Sequence, residues 1–298
     1  YGKGIGKIAK EEEHVEDTHT EHDQLAKVDD EGVTFKSHRD GSSHRFTPER
    51  SIQIQHNIGA DIIVAFDECT SPHEPYDKQK ISLDRTHAWA IRSLAEHKRL
   101  LAESATRTVG TIPAALYGVV QGGKYQDLRE EAARTIGAMD FDGFGIGGSF
   151  GKDDIGTAVT WVNSILPEEK PRHLLGIGEP IDFFYGVEAG VDTFDCVSPT
   201  RLGRNGSLYT KDGKMNINNA KYVRDLTPVE SNCTCYTCTH YTRAYLAHLF
   251  REGEMLGAAL GSIHNLYFAV NLVKGIRKAI LEDRYEAYKE EVLKRYYK

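Results

Sequence analysis

Two stretches of the chain end an apolar run in an aspartate beside a cysteine: DIIVAFDECTSP (61–72) and VDTFDCVSPTRLGRNG (191–206). A buried strand has no use for a carboxylate at its tip. Either aspartate alone reads as a helix cap or an ion-pair partner, but Asp67 and Asp195 on equivalent strand ends point to one shared site. A carboxylate fixed there faces a ligand instead of the core. Beyond Asp195, the window Cys196–Arg224 sets Arg201, Arg204, Lys211, Lys214, Lys221 and Arg224 against a single acid, Asp212. A solvated surface mixes its signs, so this patch suits a phosphate-rich ligand. No flanking pattern activates Cys69 or Cys196, which read as small buried residues.

The remaining cysteines form C-x-C-x2-C at Cys233, Cys235 and Cys238. Thiolates this crowded predict a tetrahedral Zn²⁺ with three sulfurs and one imidazole. Three histidines follow. His240 is too near Cys238 for the same ion, whereas His264 lies beyond a helical segment and would tie the loop to the last long helix; His248 is the third candidate. A closed four-ligand site leaves no position for water, so the zinc is expected to be structural, one per chain. His14, His19 and His22 sit among carboxylates without ordered spacing and read as part of a solvated segment. GFGIGG (143–148) spells a dinucleotide fingerprint, but its glycines lie in or end a strand instead of opening a helix. It reads better as a wall where backbone approaches a flat ligand.

These residues need elements to hold them. Residues 1–32 read as a charged insertion or irregular segment. Thr47-Pro48-Glu49 opens a helix expected to run to about Gly59. Apolar strands are expected at 61–68, 115–122, 142–148, 172–178 and 191–197. Helices are expected between them at 83–104, 126–139, 155–166 and 180–190. Such alternation means a parallel sheet buried on both faces. Strands ending in polar or glycine residues fit a (β/α) barrel with its site at the C-terminal mouth, and a doubly wound open sheet is the alternative. Asp212-Gly213 marks a hairpin. After the cysteines the pattern is helical to the end, with Leu266, Val270, Val273 and Ile280 on the expected inner face.

At 298 residues the chain can form one large barrel-type domain or two average ones. With 40% hydrophobic and 27% charged residues it has a globular balance. No unbroken run of 18 apolar residues predicts a membrane span. No signal peptide or lipidation motif is recognised, and an odd cysteine number with three crowded together favours a reducing, cytoplasmic setting. The net charge of −7 argues mildly against nucleic acid, although it cannot veto a local basic patch. The chain begins at Tyr1, so further residues are expected upstream.

Taken together, the stretches EGVTFKSHRDGSSHRFTPERSIQIQ, DIIVAFDECTSP, YGVVQGG, FDGFGIGGS, HLLGIGEP, FDCVSPTRLGRNG and the cysteine cluster resemble one family, the tRNA-guanine transglycosylases, also called queuine tRNA-ribosyltransferases. They span residues 31–298 in the family's order, and Cys238 to His264 matches its zinc loop. The resemblance implies an α/β fold, an irregular (β/α)8 TIM-type barrel with an inserted zinc-binding subdomain. Barrel residues would fill 33–227 and the C-terminal helices, and 228–298 would hold the zinc-binding subdomain and those helices. It implies exchange of the wobble guanine of GUN-anticodon tRNAs for a 7-deazaguanine, preQ1 or queuine, in queuosine modification.

By match to the family, Asp195 would be the catalytic nucleophile. Asp67, Gln121, Gly148 and Leu175 would bind the base. Gly176, Thr200, Arg201 and Arg204 would hold the anticodon loop, and Cys233, Cys235, Cys238 and His264 the zinc. A cytoplasmic homodimer with no membrane partner is expected. The family's T-D-S-G-G-F/Y-Q string, whose aspartate is a general acid/base, does not occur here; about six of eight barrel strands are visible, and the first two are expected upstream of Tyr1. GGSFGKDD (147–154) departs from the usual GGLAVGE around the incoming base. A non-catalytic tRNA-binding paralogue is the alternative, opposed by Asp195 in an intact FDCVSPTR. A metal-dependent barrel hydrolase would need ligand clusters at strand ends, which are not found.

Overall fold

The computed structural model describes residues 26–105, 113–148 and 155–298. His14, His19, His22, most of the charged segment and the 149–154 part of the GGSFGKDD loop lie outside them. Contacts divide the chain into two units. The first runs to Leu175 and adds Tyr185–Phe194; the second joins Gly176–Phe184 to Asp195–Lys298.

The first unit opens with an antiparallel sheet of β1 (Ala26–Asp29), β2 (Gly32–Lys36) and β3 (Ser43–Phe46). The end of the segment expected to be irregular is therefore a strand. Asp29 accepts the N–H groups of Glu31 and Gly32, and Arg45 grips its carboxylate. These local bonds outweigh the polar character that suggested irregular chain. Helix α1 (Pro48–Ile58) has the expected ends, with Thr47 accepting from the Arg50 N–H and Gly59 as C-cap.

From there strand and helix alternate: β4 (Ile62–Val64), α2 (Tyr76–Ala105), β5 (Ala115–Val120), α3 (Gln126–Gly137), β6 (Gly143–Ile146), α4 (Ile155–Asn163), β7 (Arg172–Leu174), α5 (Pro180–Glu188) and β8 (Thr193–Phe194). The five strands are parallel and paired in strict sequence order, β4-β5-β6-β7-β8. A doubly wound sheet reverses direction at a switch point, whereas a TIM-type barrel adds every strand on the same side. The order selects the barrel architecture. Among the described residues there are five such strands, against about six expected, and each is shorter than its apolar run. Helix α2 starts at Tyr76, well before the expected residue 83, because its first turns are polar and mostly exposed. The strands carry most of the core: Ile63, Leu116, Val119, Val120, Phe144, Ile146 and Leu174 are buried, as are Leu128, Ala132 and Ile136 of α3.

The second unit contains α6 (Ser198–Arg204), the hairpin β9 (Ser207–Thr210) and β10 (Gly213–Asn216), then α7 (Tyr236–His240), α8 (Arg243–Arg251), α9 (Met255–Leu281) and α10 (Tyr285–Tyr296). Its core surrounds the cysteines with Leu208, Ile217, Val229, Leu246, Leu249 and Leu260. The expected inner face of α9 is corrected: Leu266, Val270 and Ile280 are exposed, while Gly257, Leu260, Gly261, His264, Asn265, Leu272 and Ile276 are buried. Small residues face inward because α6 lies so close. A Cβ on Gly261 would stand 2.6 Å from the Gly203 carbonyl oxygen. Helix α9 is also long and apolar enough, at a mean hydropathy of 1.3 over 18 residues, to meet the length-and-composition test for a membrane span. The unbroken-run criterion missed this. Its buried His264 and Asn265, both hydrogen-bonded inside the unit, are features of a core helix.

Candidate active site and metal centre

In the first unit, the segment after β4 is held on both sides of Asp67. The Phe66 N–H donates to Ser93 Oγ (3.2 Å) and the Glu68 N–H to Thr86 Oγ1 (3.1 Å), both hydroxyls being buried on α2. Glu68 pairs with Arg85. Asp67 is thereby presented at the strand end, where Gln121 Nε2 donates to its Oδ2 at 2.5 Å. Gln121 directly follows β5 and is buried.

The register Val120↔Ile146 puts the end of β5 beside that of β6, and the Gly147 N–H donates to the Val120 carbonyl. Gly148 comes next with φ +91°, a conformation L side chains avoid, and a Cβ there would meet Arg129 Nη2 at 2.5 Å. GFGIGG is thus a strand, Gly143–Ile146, whose last two glycines run on past its end instead of opening a helix. Leu175, one residue past β7, bonds through its N–H to the Ile146 carbonyl and lies 3.2 Å from a Cβ built on Gly145. Asp67, Gln121, Gly148 and Leu175 all lie just beyond strand ends of one parallel sheet. They offer a carboxylate acceptor, an amide, a bare backbone and an apolar side chain, a set able to read the edge and face of a flat heterocycle.

Sequence reasoning missed Arg129. It is completely buried on α3, and its Nε and Nη1 donate to the carbonyls of Gly123 (2.7 Å) and Gly147 (2.6 Å). Burial pulls its pKa down to about 10, so it stays cationic at neutral pH. The available signal was an arginine among the apolar positions of α3.

In the second unit, Asp195 follows β8 in the chain and is exposed. Its Oδ1 accepts the Gly176 N–H at 2.8 Å, which fixes the carboxylate. Gly176 therefore serves Asp195 directly. Cys196 is half-buried, and that burial raises its pKa, which is not the mark of a nucleophile; Cys69, expected to be buried, is instead exposed, because it lies in the loop beyond the end of β4. Thr200, Arg201 and Arg204 lie on α6, the arginines exposed and Thr200 Oγ1 donating to the Val197 carbonyl. Of the basic window, Lys214 is paired with Glu179 at 2.8 Å and Asp212 with Arg295. Asn265, also unforeseen, holds α6 and β9 against α9. It accepts the Tyr209 N–H and donates to the carbonyls of Pro199 and Ser207.

The cysteine cluster converges on His264. Its Nδ1 lies 3.4 Å from the Sγ atoms of Cys235 and Cys238 and 3.9 Å from that of Cys233. A tetrahedral ion with metal–sulfur and metal–nitrogen bonds of ~2.3 and ~2.0 Å needs edges of roughly 3.5 Å, so the four atoms fit around one ion. His264 is fully buried, and its Nε2 bonds to the Tyr209 carbonyl at 2.7 Å, which leaves Nδ1 turned to the sulfurs. The Cys235 thiol is pushed well down by Cys238, which directs a hydrogen bond at it, and by His264. That is a thiolate ready for a cation. His240 instead bonds to Tyr236 and Thr239, and His248 lies beside Glu252. The group can hold a metal ion, with His264 as the nitrogen ligand.

The model of the queuine tRNA-ribosyltransferase family matches residues 15–298. The chain belongs to that family. Queuine tRNA-ribosyltransferases of Herpetosiphon aurantiacus and Caldanaerobacter subterraneus subsp. tengcongensis are each 47% identical to it, over 91% and 92% of this chain and 67% and 71% of their own lengths. That of Streptococcus equi subsp. zooepidemicus is 44% identical over 90% of this chain and 69% of its own. Membership in the queuine tRNA-ribosyltransferase family places the chain among the pentosyltransferases, and the strand order and Cys3His group are those the family resemblance implied.

Proposed function

We propose that the protein exchanges the wobble guanine of GUN-anticodon tRNAs for a 7-deazaguanine, preQ1 or queuine, in queuosine modification. The observation that supports this best is the Asp67–Gln121 pair beside the Gly148 backbone. Guanine offers two adjacent N–H donors next to a carbonyl; a carboxylate meets the donors, while an amide N–H and a backbone N–H meet the carbonyl. Leu175 would cover the ring. Thr200, Arg201 and Arg204, together with Gly176, would hold the anticodon loop while the target nucleotide is flipped out.

In this reading the Asp195 carboxylate, oriented by the Gly176 N–H, attacks the ribose C1′. The C1′–N9 bond breaks, the guanine N9 takes up a proton from water as the base leaves, and a ribosyl ester remains. The incoming base, deprotonated at N9, then attacks C1′ and releases Asp195, so two inversions give retention. Cys233, Cys235, Cys238 and His264 would hold Zn²⁺ in a purely structural role, since four protein ligands close its coordination. The protein would act as a cytoplasmic homodimer. The test is incorporation of labelled guanine into a GUN-anticodon tRNA by the full-length protein. Asp67→Asn turns one acceptor into a donor facing guanine's own donors and is expected to weaken base binding by ~1–3 kcal/mol. Exchange at the wild-type rate in that variant would refute the assignment.

A further inference from the structure

Arg129 stands on the buried face of α3 among Leu128, Ala132, Ala133 and Ile136. A fully buried guanidinium costs several kcal/mol of desolvation, and an apolar side chain would serve the core better. Its Nε and Nη1 hydrogen bonds both go to backbone carbonyls, one in each of the loops that follow β5 and β6. The bond to the Gly147 oxygen has a second consequence. A trans peptide unit is planar, with its C=O and N–H pointing in opposite directions. With the Gly147 carbonyl fixed on Arg129 at 2.6 Å, the Gly148 N–H of the same peptide faces away from the guanidinium. A cationic donor on the carbonyl also withdraws electron density and strengthens the N–H at the other end. The positive φ of Gly148, and the 2.5 Å that would separate a Cβ there from Nη2, mean that this arrangement requires glycine.

We propose that Arg129 is a positioning residue for base recognition: it aims and polarises the Gly147–Gly148 peptide so that the Gly148 N–H becomes a strong donor to the base carbonyl. The proposal rests on the base-binding reading above, and its two tests separate the failure of one from the failure of the other. The first needs no ligand. Gly122–Gly123 and Gly147–Gly148 are the two Gly–Gly peptides of the chain. Protein grown with glycine labelled at both the carbonyl carbon and nitrogen therefore gives two carbonyl–amide correlations. In Arg129→Lys and Arg129→Gln the Gly148 correlation, which carries the Gly147 carbonyl carbon, should move by much more than its linewidth; the Gly123 correlation, beside the other carbonyl that Arg129 grips, serves only to complete the assignment of the pair. An unmoved Gly148 correlation in both variants overturns the proposal, whatever the protein binds.

The second test compares dissociation constants for guanine and for 2-aminopurine, which lacks both the 6-carbonyl and the N1–H and so binds more weakly from the start, and reads the ratio of variant to wild type for each base. In Arg129→Lys, guanine binding should weaken about tenfold and 2-aminopurine binding should stay within about twofold. Equal weakening of both would mean a structural role only, and an unchanged guanine affinity would likewise overturn the inference. A wild-type protein that binds neither base would refute the base-site reading, with the Gly148 correlation still deciding the polarisation.

Discussion

Gly261→Ala is expected to force α6 and α9 apart. The new methyl carbon would lie 2.6 Å from the Gly203 carbonyl oxygen and 3.2 Å from its carbon, backbone against backbone, with no flexible side chain to give way. Restoring ordinary contact requires a separation of roughly 0.5–1 Å, enough to forfeit a quarter to a half of each dispersion contact across that interface. Overpacking of this kind costs ~1–3 kcal/mol, and alanine returns ~1 kcal/mol of helix propensity. The Asn265 bonds to the Pro199 and Ser207 carbonyls, one turn further along, would be stretched by the same movement. A net loss of about 2 kcal/mol follows, toward the upper end of that balance.

The assay is urea unfolding followed by circular dichroism, with the midpoint converted through the common slope. Gly156→Ala is the control, because a Cβ there meets nothing within 4 Å and α4 should gain up to ~1 kcal/mol. A Gly261→Ala protein as stable as wild type would refute the close-packing argument. Because α6 carries Arg201 and Arg204, that variant should also bind tRNA more weakly.

Other outcomes follow from the same geometry. Purified protein should contain about one zinc per chain, and Cys235→Ser should lower metal content, folded yield and melting temperature together; a metal-free protein with unchanged melting would contradict the site. The two-pronged bond from Arg92, at 2.6 and 2.9 Å, holds the Glu49 pKa down to about 2. A depressed carboxylate contributes stability above its unfolded value, and loses it as pH falls from about 5 toward 2. Glu49 is 35% exposed, so the contribution is discounted to about 1 kcal/mol. Glu49→Gln should remove that much at pH 7 and show correspondingly less further loss on acidification; equal acid sensitivity in both proteins would contradict the pairing.

The barrel was legible because parallel strands buried on both faces leave unbroken apolar runs, and DIIVAFDE or ALYGVVQG can hardly be anything else. Their lengths were not legible: pairing stops where the chain turns into the loops, so only Ile62–Val64 of the first run is strand. The face of α9 was misread for a definite reason. Close approach to α6 selects glycine, and local polar needs select His264 and Asn265, so the buried stripe is less apolar than the exposed one. Asp67 and Asp195 stood out because a polar type interrupts an apolar run there, whereas Gln121, Gly148, Leu175 and Gly176 entered only through the family resemblance. The Gln121–Asp67 bond, the Gly176–Asp195 bond and the grip of Arg129 on two loops depend on pairings 54, 19 and 18 residues apart, or on carbonyls that carry no residue identity.

The central claim is that Asp195 attacks the ribose, and a trapped intermediate tests it most directly. Full-length protein incubated with a GUN-anticodon tRNA and a competing 7-deazaguanine inhibitor should accumulate a protein–RNA adduct that survives denaturation, as a ribosyl ester would. Peptide mapping should place the nucleotide on Asp195, and Asp195→Asn should abolish both adduct and exchange, because an amide is a poor nucleophile and a poor leaving group. An adduct that maps to another residue, or that persists in Asp195→Asn, would contradict the account.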